Sequence, residues 1–236
     1  MEIQNNQINK NMERSNTETV CDQIKSKMEL KIGVYKNIET AFEMFKTIAK
    51  TYPEKFQAYH PNTDIEVKYE CKQPRSFQLR FGSDILYFTL HSNVFEFNRD
   101  HELMRTPYIR EDKKRSYCGM ISIYNFLTDS VLYNRQNDVG YLIGRIFVNK
   151  ENHCYIDGKR EVGQVYSNFN ATLFNNELAI LILEAAIQYT VNFDFLVPPY
   201  EMVKEISISE MLETENKQAS TKTGKRLGFR FQADIQ

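Results

Sequence analysis

Between residues 64 and 97 apolar and polar residues alternate in short runs, and this pattern constrains the fold more than any other feature of the sequence. The run DIEVKYECK at 64–72 places four apolar side chains on one side: Ile65, Val67, Tyr69 and Cys71. Comparable runs follow at 76–81, 84–91 and 93–97, separated by the turn-forming stretches KQP, GSD and SN. A period of two is typical of a strand with one buried face, and short turns join antiparallel neighbours. The segment therefore predicts an antiparallel meander.

Further strand-like runs begin near residue 118 and extend the predicted sheet. They are GMISIYNFL, VGYLIGRIFVNK, HCYID and KREVGQVYS, with ENH and DG as tight turns. Gly140 and Gly144 fall on the same side of one run, where missing side chains allow a strand to bend. The sheet is therefore expected to be mainly antiparallel and able to curve. Residues 98–116 are polar, strongly charged and interrupted by Pro107, so a long loop is expected there.

Helical patterns flank the strands on both sides. Met28, Tyr35, Phe42 and Ala49 recur every seven residues, and Pro53 is expected to end the helix that they indicate. A helix is predicted for 35–51, whereas the alternation in MELKIGVY leaves helix and strand open before residue 35. After the strands, NNELAILILEAAIQYTV is apolar on nearly all sides and predicts a buried helix, and YEMVKEISISEMLE predicts another after Pro198 and Pro199.

These patterns divide the chain into three parts. Residues 1–19 are polar and lack apolar periodicity, so they are predicted to be a mobile amino-terminal segment. Residues 20–213 are predicted to form a single α+β domain, in which an amino-terminal amphipathic helix and carboxy-terminal helices pack on the sheet. Residues 214–236 are predicted to be a basic linker followed by LGFRFQADI, whose alternation can add a terminal strand.

Composition excludes several classes of function. The 236 residues carry a net charge of -1, so nucleic acid or an anionic membrane would have to be bound by a local patch. The four cysteines, Cys21, Cys71, Cys118 and Cys154, have neither zinc-site nor disulfide-framework spacing. The first residues lack the apolar core of a secretory signal, and the most apolar run, 178–191, is shorter than the roughly 20 residues of a membrane-spanning helix. We therefore expect a soluble cytoplasmic protein that does not enter a membrane.

One possible active site lies in the first strand. Glu66 and Lys68 form the E-x-K of one large class of nucleases, in which two carboxylates hold a metal ion and the lysine orients the attacking water. Two residues apart on a strand, the two side chains point to the same face. The second carboxylate is harder to find, because Glu54 lies just past the predicted helix end. A magnesium-dependent nuclease is thus an alternative hypothesis. The competing interpretation, without any catalytic role, is a strand with a solvated charged face.

A thiol hydrolase is a weaker alternative. If a helix began at Cys118, its amino end would lower the pKa of the thiol. His153 would act as the base and Asp157 would orient it. However, MISIY is at least as good a strand as a helix, and buried free cysteine commonly serves as a small apolar filler.

No metal site or phosphate-binding loop is predicted. The four histidines show no short ligand spacing, and the P-loop and dinucleotide-binding motifs do not occur. The basic tail does suggest a phosphate or nucleic-acid contact, because cations lie beside aromatic rings that could stack on bases. The residues are Lys222, Lys225, Arg226, Phe229 and Arg230. A solubilising extension is the competing interpretation.

The sequence therefore predicts a binding or accessory protein without a recognisable active site. The 30 aromatic residues, 14 Tyr and 16 Phe, favour a contact surface. A protein partner or self-association is expected, and a nucleotide or nucleic acid is a further candidate ligand. No cofactor is expected, apart from magnesium under the nuclease hypothesis.

Overall fold

The computed structural model describes residues 2–134, 138–165, 168–193, 200–205 and 207–208, with backbone alone for 2–16, 202 and 203. Its helices are α1 Glu2–Tyr59, α2 Pro107–Glu111, α3 Thr128–Leu132, α4 Arg160–Gln164, α5 Asn176–Val191 and α6 Tyr200–Val203. Its strands are β1 Val67–Gln73, β2 Ser76–Phe81, β3 Asp84–Leu90, β4 Phe95–Glu96, β5 Tyr117–Leu127, β6 Tyr141–Asn149 and β7 Cys154–Gly158. Short 3-10 helices, Glu102–Arg105 and Lys113–Ser116, flank α2. The predicted linker and terminal strand at 214–236 lie outside the described residues.

The strands form one antiparallel sheet in the order β1-β2-β3-β5-β6-β7, with β4 paired to β5. Within the described residues the sheet ends at β1 and β7 and is not closed into a barrel. Together with the helix before it and the helices after it, the sheet confirms the predicted α+β fold. Of the helices in the described part of the chain, none combines the length and apolar content that a membrane crossing requires.

The main core lies between the sheet and the two long helices, α1 and α5. Phe45 of α1 contacts Phe88 of β3 at a ring separation of 5.6 Å, and Phe77 of β2 stacks on Phe88 at 4.6 Å. Each of these rings is almost completely buried, and burial of such a side chain stabilises the fold by about 1.5–3 kcal/mol. Gly119 allows α1 to approach β5 closely, because a Cβ at that position would lie 2.3 Å from Ile38. This side of the sheet is called the inner face.

Helix α1 extends beyond its predicted bounds in both directions. The segment MELKIGVY is helical, not a strand. Residues 2–19, predicted to be mobile, form the first turns of α1. Their mobility stays a prediction. The expectation that Pro53 ends the helix is wrong, because α1 continues to Tyr59. Contacts on both sides of the proline hold the helix together. The Tyr52 hydroxyl donates to Glu184 of α5, and the ring of Phe56 contacts His60 at 5.2 Å.

Two other local predictions are wrong for tertiary reasons. KREVGQVYS was expected to be a strand, but its first half forms α4. Helical geometry places Val162 above two glycines, since Cβ atoms at Gly144 and Gly158 would lie 2.7 Å and 2.6 Å from its side chain. The expected loop at 98–116 instead contains α2 and both 3-10 helices. We call residues 95–116 the cap.

The cap covers one end of the outer face, the side of the sheet opposite α1 and α5. A second apolar cluster lies beneath it, formed by Leu103, Tyr108, Ile109, Cys118, Phe147 and Phe169. These buried side chains order a segment whose charge alone suggests a solvated loop. Beyond the cap, Tyr87 and Tyr124 are partly exposed on the outer face, whereas Ile85 is buried there. A functional surface is therefore sought on this side.

Candidate functional site

The E-x-K residues lie at the free edge of the sheet, on β1 and just before it. The Lys68 ammonium is 2.5 Å from one oxygen of Glu66, and Arg80 of β2 is 3.6 Å from the other. Two cations therefore contact the carboxylate that the nuclease hypothesis assigns to a metal ion. Across the described ranges, no three His, Cys, Asp or Glu side chains lie close enough together to hold a metal ion. The nuclease role of Glu66 and Lys68 stays a prediction.

The thiol hydrolase residues are not arranged as that hypothesis requires. Cys118 lies inside strand β5, not at a helix start, and burial raises the pKa of its thiol. Asp157, expected to orient His153, accepts instead from Arg145. The Nδ1 atom of His153 is 3.0 Å from the carbonyl oxygen of Phe169, and its ring stacks on Tyr108 at 4.8 Å. His153 thus packs against the cap.

The predicted nucleic-acid contact in the tail lies beyond the part of the chain that the structure describes. Its residues are Lys222, Lys225, Arg226, Phe229 and Arg230. That contact also stays a prediction.

The register of the sheet arranges the outer-face side chains in rows that cross the strands. One row contains Gln78, Tyr87, Tyr124 and Leu142. The next contains Ser76, Thr89, Ser122, Arg145 and Asp157. A third contains Met120, Phe147 and Tyr155. The middle row begins with three small hydroxyl side chains beside the bulkier row that contains Tyr87 and Tyr124, and it ends at Arg145 and Asp157.

A cavity of about 260 Å³ lies where the Arg145 and Asp157 end of this row meets the cap. The cap contributes mainly Phe95, Phe97, Asn98 and His101. The sheet contributes mainly Met120, Arg145, Phe147 and Asp157. The cavity therefore has aromatic walls and a charged end.

Phe97 forms the best-supported wall of the cavity. Its ring lies 5.2 Å from Phe147 and 4.8 Å from His101, and Phe169 and Tyr155 meet it edge-on at 5.9 Å and 6.0 Å. His101 is held in turn, because its Nδ1 atom accepts from the backbone N–H of Leu103 at 3.3 Å. Contacts from several sides fix the orientation of the Phe97 ring.

The charged end consists of one ion pair across β6 and β7. The guanidinium of Arg145 donates to Oδ2 of Asp157 through Nε at 3.0 Å and also through Nη2. Its Cζ atom lies 5.5 Å from the ring centre of Phe147. The two side chains are 42% and 43% exposed, and such accessible pairs contribute only about 0–1 kcal/mol to stability. A ligand can therefore replace part of this pair at small energetic cost.

A polar network attaches the cap to the turn between β6 and β7. The Tyr108 hydroxyl donates to Glu151 at 2.8 Å and accepts from the Asn149 amide at 2.9 Å. Arg115 donates to Glu151 at 3.1 Å, and its guanidinium lies 4.4 Å from the ring centre of Tyr108. Although burial raises it, hydrogen bonds from Tyr108 and Arg115 hold the pKa of Glu151 below its usual value. The network fixes the cap, and with it the wall of the cavity.

A second ion pair adds to this attachment. Lys150 lies 2.6 Å from Asp112, and this hydrogen bond, with another from the backbone of Lys114, holds the pKa of Asp112 below its usual value.

Of the cavity side chains, only Cys118 and Asp157 belong to a site hypothesis drawn from the sequence. The available signals were Arg145, a charge inside the apolar run LIGRIFVN, and the aromatic residues of VFEF just before the charged stretch. Comparison with known proteins finds no family model, no curated protein and no solved structure that matches this chain. Function is therefore inferred from the cavity and the outer face.

Proposed function

We propose that this protein is a binding protein whose cavity and outer face recognise an unpaired nucleobase, supplied by a free nucleotide or by a single-stranded nucleic acid. The observation that carries the proposal is the cavity of about 260 Å³, which has aromatic walls and ends at Arg145 and Asp157. Pockets for drug-sized ligands measure about 300–1,000 Å³. The smaller volume suits one planar heterocycle.

The aromatic walls supply the main attraction. Phe97 presents a partly exposed ring that Phe147 supports, and a base that stacks on an aromatic side chain gains about 1–3 kcal/mol. Because every base has an aromatic face, stacking alone does not select among them. Recognition of a particular base must come from polar groups.

Those polar groups lie at the charged end of the cavity. Arg145 presents N–H donors and Asp157 presents acceptor oxygens side by side, and Asn98 adds an amide. Edges of unpaired bases carry neighbouring donors and acceptors and are read by such groups. A base with a donor beside an acceptor is therefore the preferred ligand.

The open part of the outer face offers a second stacking position. Tyr87 and Tyr124 lie directly opposite each other on β3 and β5. Tyr124 is two residues from Ser122 along its strand, a step of about 7 Å. A second base of a short single strand could stack there. Lys68 and Arg80 lie near Glu66 and Glu70, so the local charge nearly cancels and weak salt dependence is expected.

Equilibrium binding tests the proposal with two kinds of ligand. Titration calorimetry would measure the affinity of the protein for each of the four ribonucleoside monophosphates. Fluorescence anisotropy would measure its affinity for labelled single-stranded oligonucleotides. Phe97→Leu removes the stacking ring and Arg145→Gln removes donors at the charged end. Each is expected to weaken binding about tenfold, since that corresponds to the loss of about 1.4 kcal/mol.

Matched substitutions away from the cavity provide the controls. Phe56→Leu alters an aromatic side chain on α1, and Arg110→Gln removes one positive charge from an exposed position of α2. Both should keep wild-type affinity. Absence of binding to nucleotides and oligonucleotides at millimolar concentration would contradict the proposal, as would binding that neither cavity substitution weakens.

The same oligonucleotides test the magnesium-dependent nuclease alternative. Incubation with magnesium or manganese would be followed by electrophoresis, with Lys68→Ala as the comparison. Degradation by the wild-type protein that Lys68→Ala abolishes would support the role of Glu66 and Lys68. Equal degradation by both proteins would exclude it.

A further inference from the structure

Helix α1 is much longer than the sheet on which it packs. Its 58 residues span about 87 Å. Complete burial begins at Val34, whereas residues 17–26 are exposed. We call residues 17–33 the arm.

The arm contacts the rest of the fold at the cap and at Tyr117: the Lys27 ammonium lies 3.7 Å from the ring centre of Tyr117, and Lys114 lies 3.5 Å from the Ser26 hydroxyl. Helical segments with little tertiary packing are only marginally stable in water, so packing of the opposite side against another surface would stabilise the arm.

An apolar stripe runs along one side of the arm. Val20, Ile24, Met28 and Ile32 follow one another at intervals of four residues and are 52%, 57%, 45% and 55% exposed. Successive residues at this spacing lie on adjacent turns and about 40° apart around the helix, so the four side chains cover an arc of about 120°. Ile32 also lines a groove with Tyr35 and Val94, and the other lining residues are polar or charged: Lys31, Lys36, Glu39, Ser92 and Asn93. A row of exposed apolar residues along a helix marks an interaction site more often than isolated apolar residues do.

The charges of the arm are separated along its length. Residues 17–24 carry Glu18 and Asp22 and no cation, a net charge of about -2. Residues 25–33 carry Lys25, Lys27 and Lys31 with Glu29, a net charge of about +2. A second arm in antiparallel orientation would bring opposite charges together, whereas a parallel arm would bring like charges together.

We propose that the arm pairs antiparallel with the arm of a second copy of this chain. In this arrangement Val20 lies against Ile32 of the partner subunit, and Ile24 lies against Met28 of the partner subunit. The arm has fewer residues than the 20–30 a side of a standard interface, so an affinity in the micromolar range is expected. The apolar stripe and the cavity lining share no residue, so the proposal is independent of nucleobase binding.

Sedimentation velocity at protein concentrations from about 1 to 200 μM tests self-association. The wild-type protein is expected to shift from monomer to dimer over this range. Ile24→Glu places a charge in the stripe and should leave a monomer at every concentration. Ile24 is largely exposed, so circular dichroism and thermal unfolding of this variant should match those of the wild type.

A control and a crosslinking experiment sharpen the test. Thr19→Glu adds the same charge on another side of the arm and should preserve the dimer. In the antiparallel pair the Cα atoms of the two copies of Cys21 would be about 15 Å apart along the axis, beyond the roughly 7 Å limit for a disulfide. Mild oxidation of a Cys71→Ser protein should therefore give no Cys21-linked dimer. A wild-type monomer at 200 μM, or rapid crosslinking through Cys21, would overturn the proposal.

Discussion

The two faces of the sheet are built from the same strands but by different interactions. The inner face contributes Phe77, Phe88 and Ile121 to one apolar core beneath α1 and α5. The outer face carries rows of tyrosine, hydroxyl and charged side chains, and the cap covers only one end of it. The comparison indicates that the inner face supplies most of the stability, whereas the outer face is available for recognition.

The largest difference in stability is expected between substitutions of two neighbouring residues on β3. Phe88 points to the inner face and is completely buried, and Tyr87 points to the outer face and is partly exposed. Phe88→Ala should lower the free energy of unfolding by about 3–5 kcal/mol, because it leaves a cavity. Tyr87→Ala should lower it by less than about 1 kcal/mol but weaken oligonucleotide binding. Denaturant unfolding measures both; similar losses of stability would contradict the division between the faces.

A smaller loss of stability is expected when the attachment of the cap is weakened. Tyr108→Phe removes a hydroxyl that donates to Glu151 and accepts from Asn149. The loss should be about 1–2 kcal/mol, because partly buried polar groups lose a hydrogen-bond partner. Nucleobase affinity should also fall, since the cap holds Phe97 in place. Unchanged unfolding and unchanged affinity would show that the network does not hold the cap.

Acidification should loosen the cap before it unfolds the core. The pKa values of Glu151 and Asp112 lie below their ordinary values of 4.5 and 3.8. The ionised carboxylates therefore stabilise the fold fully above their unfolded-state pKa values, and this contribution disappears as the pH falls through the folded-state values. Hydrogen exchange of residues 101–116, corrected for intrinsic rates, should rise below about pH 4.5.

Glu151→Gln isolates the role of one carboxylate in that response. The variant should exchange faster than the wild type at neutral pH and depend less on acid. Glu39→Gln, at an exposed position of α1, should retain the wild-type profile. Equal acid sensitivity of all three proteins would show that the Glu151 carboxylate does not cause the pH response.

The smallest effect concerns the point where α1 leaves the inner face. Gly33 is the last residue of the arm, directly before Val34, and a Cβ at this position would meet no atom within 4 Å. Gly33→Ala should therefore raise the free energy of unfolding by about 0.5–1 kcal/mol. Thermal unfolding measures this gain. A loss of stability would indicate that the backbone at Gly33 must bend.

Local patterns predicted the inner face better than the outer one. Alternation identified β2 and β3, and an apolar run identified α5, because each element buries residues at a regular period. The cap was missed because Leu103, Tyr108 and Ile109 stand among charges and are buried against residues distant in the sequence. Helix α4 was missed for a similar reason, since Val162 packs over two glycines from neighbouring strands.

Prediction of the cavity would have required the register of the sheet, which the sequence alone does not give. Arg145 and Asp157 are 12 residues apart in the chain and become partners only when β6 and β7 pair. Phe97 reaches the cavity only when the cap folds back over β5 and β6. By contrast, Glu66 and Lys68 were recognisable because they are close in the sequence, a short spacing that any strand with a charged face can show.

The central claim is that ligand recognition lies on the outer face, at the cavity beneath the cap. Hydrogen exchange of the wild-type protein, with and without a saturating nucleotide or short single strand, tests this most directly. Exchange is expected to slow in residues 95–101 and in the segments of β5 and β6 that line the cavity, with α5 unchanged. Protection confined to α1 or α5, or no protection at saturating ligand, would contradict it.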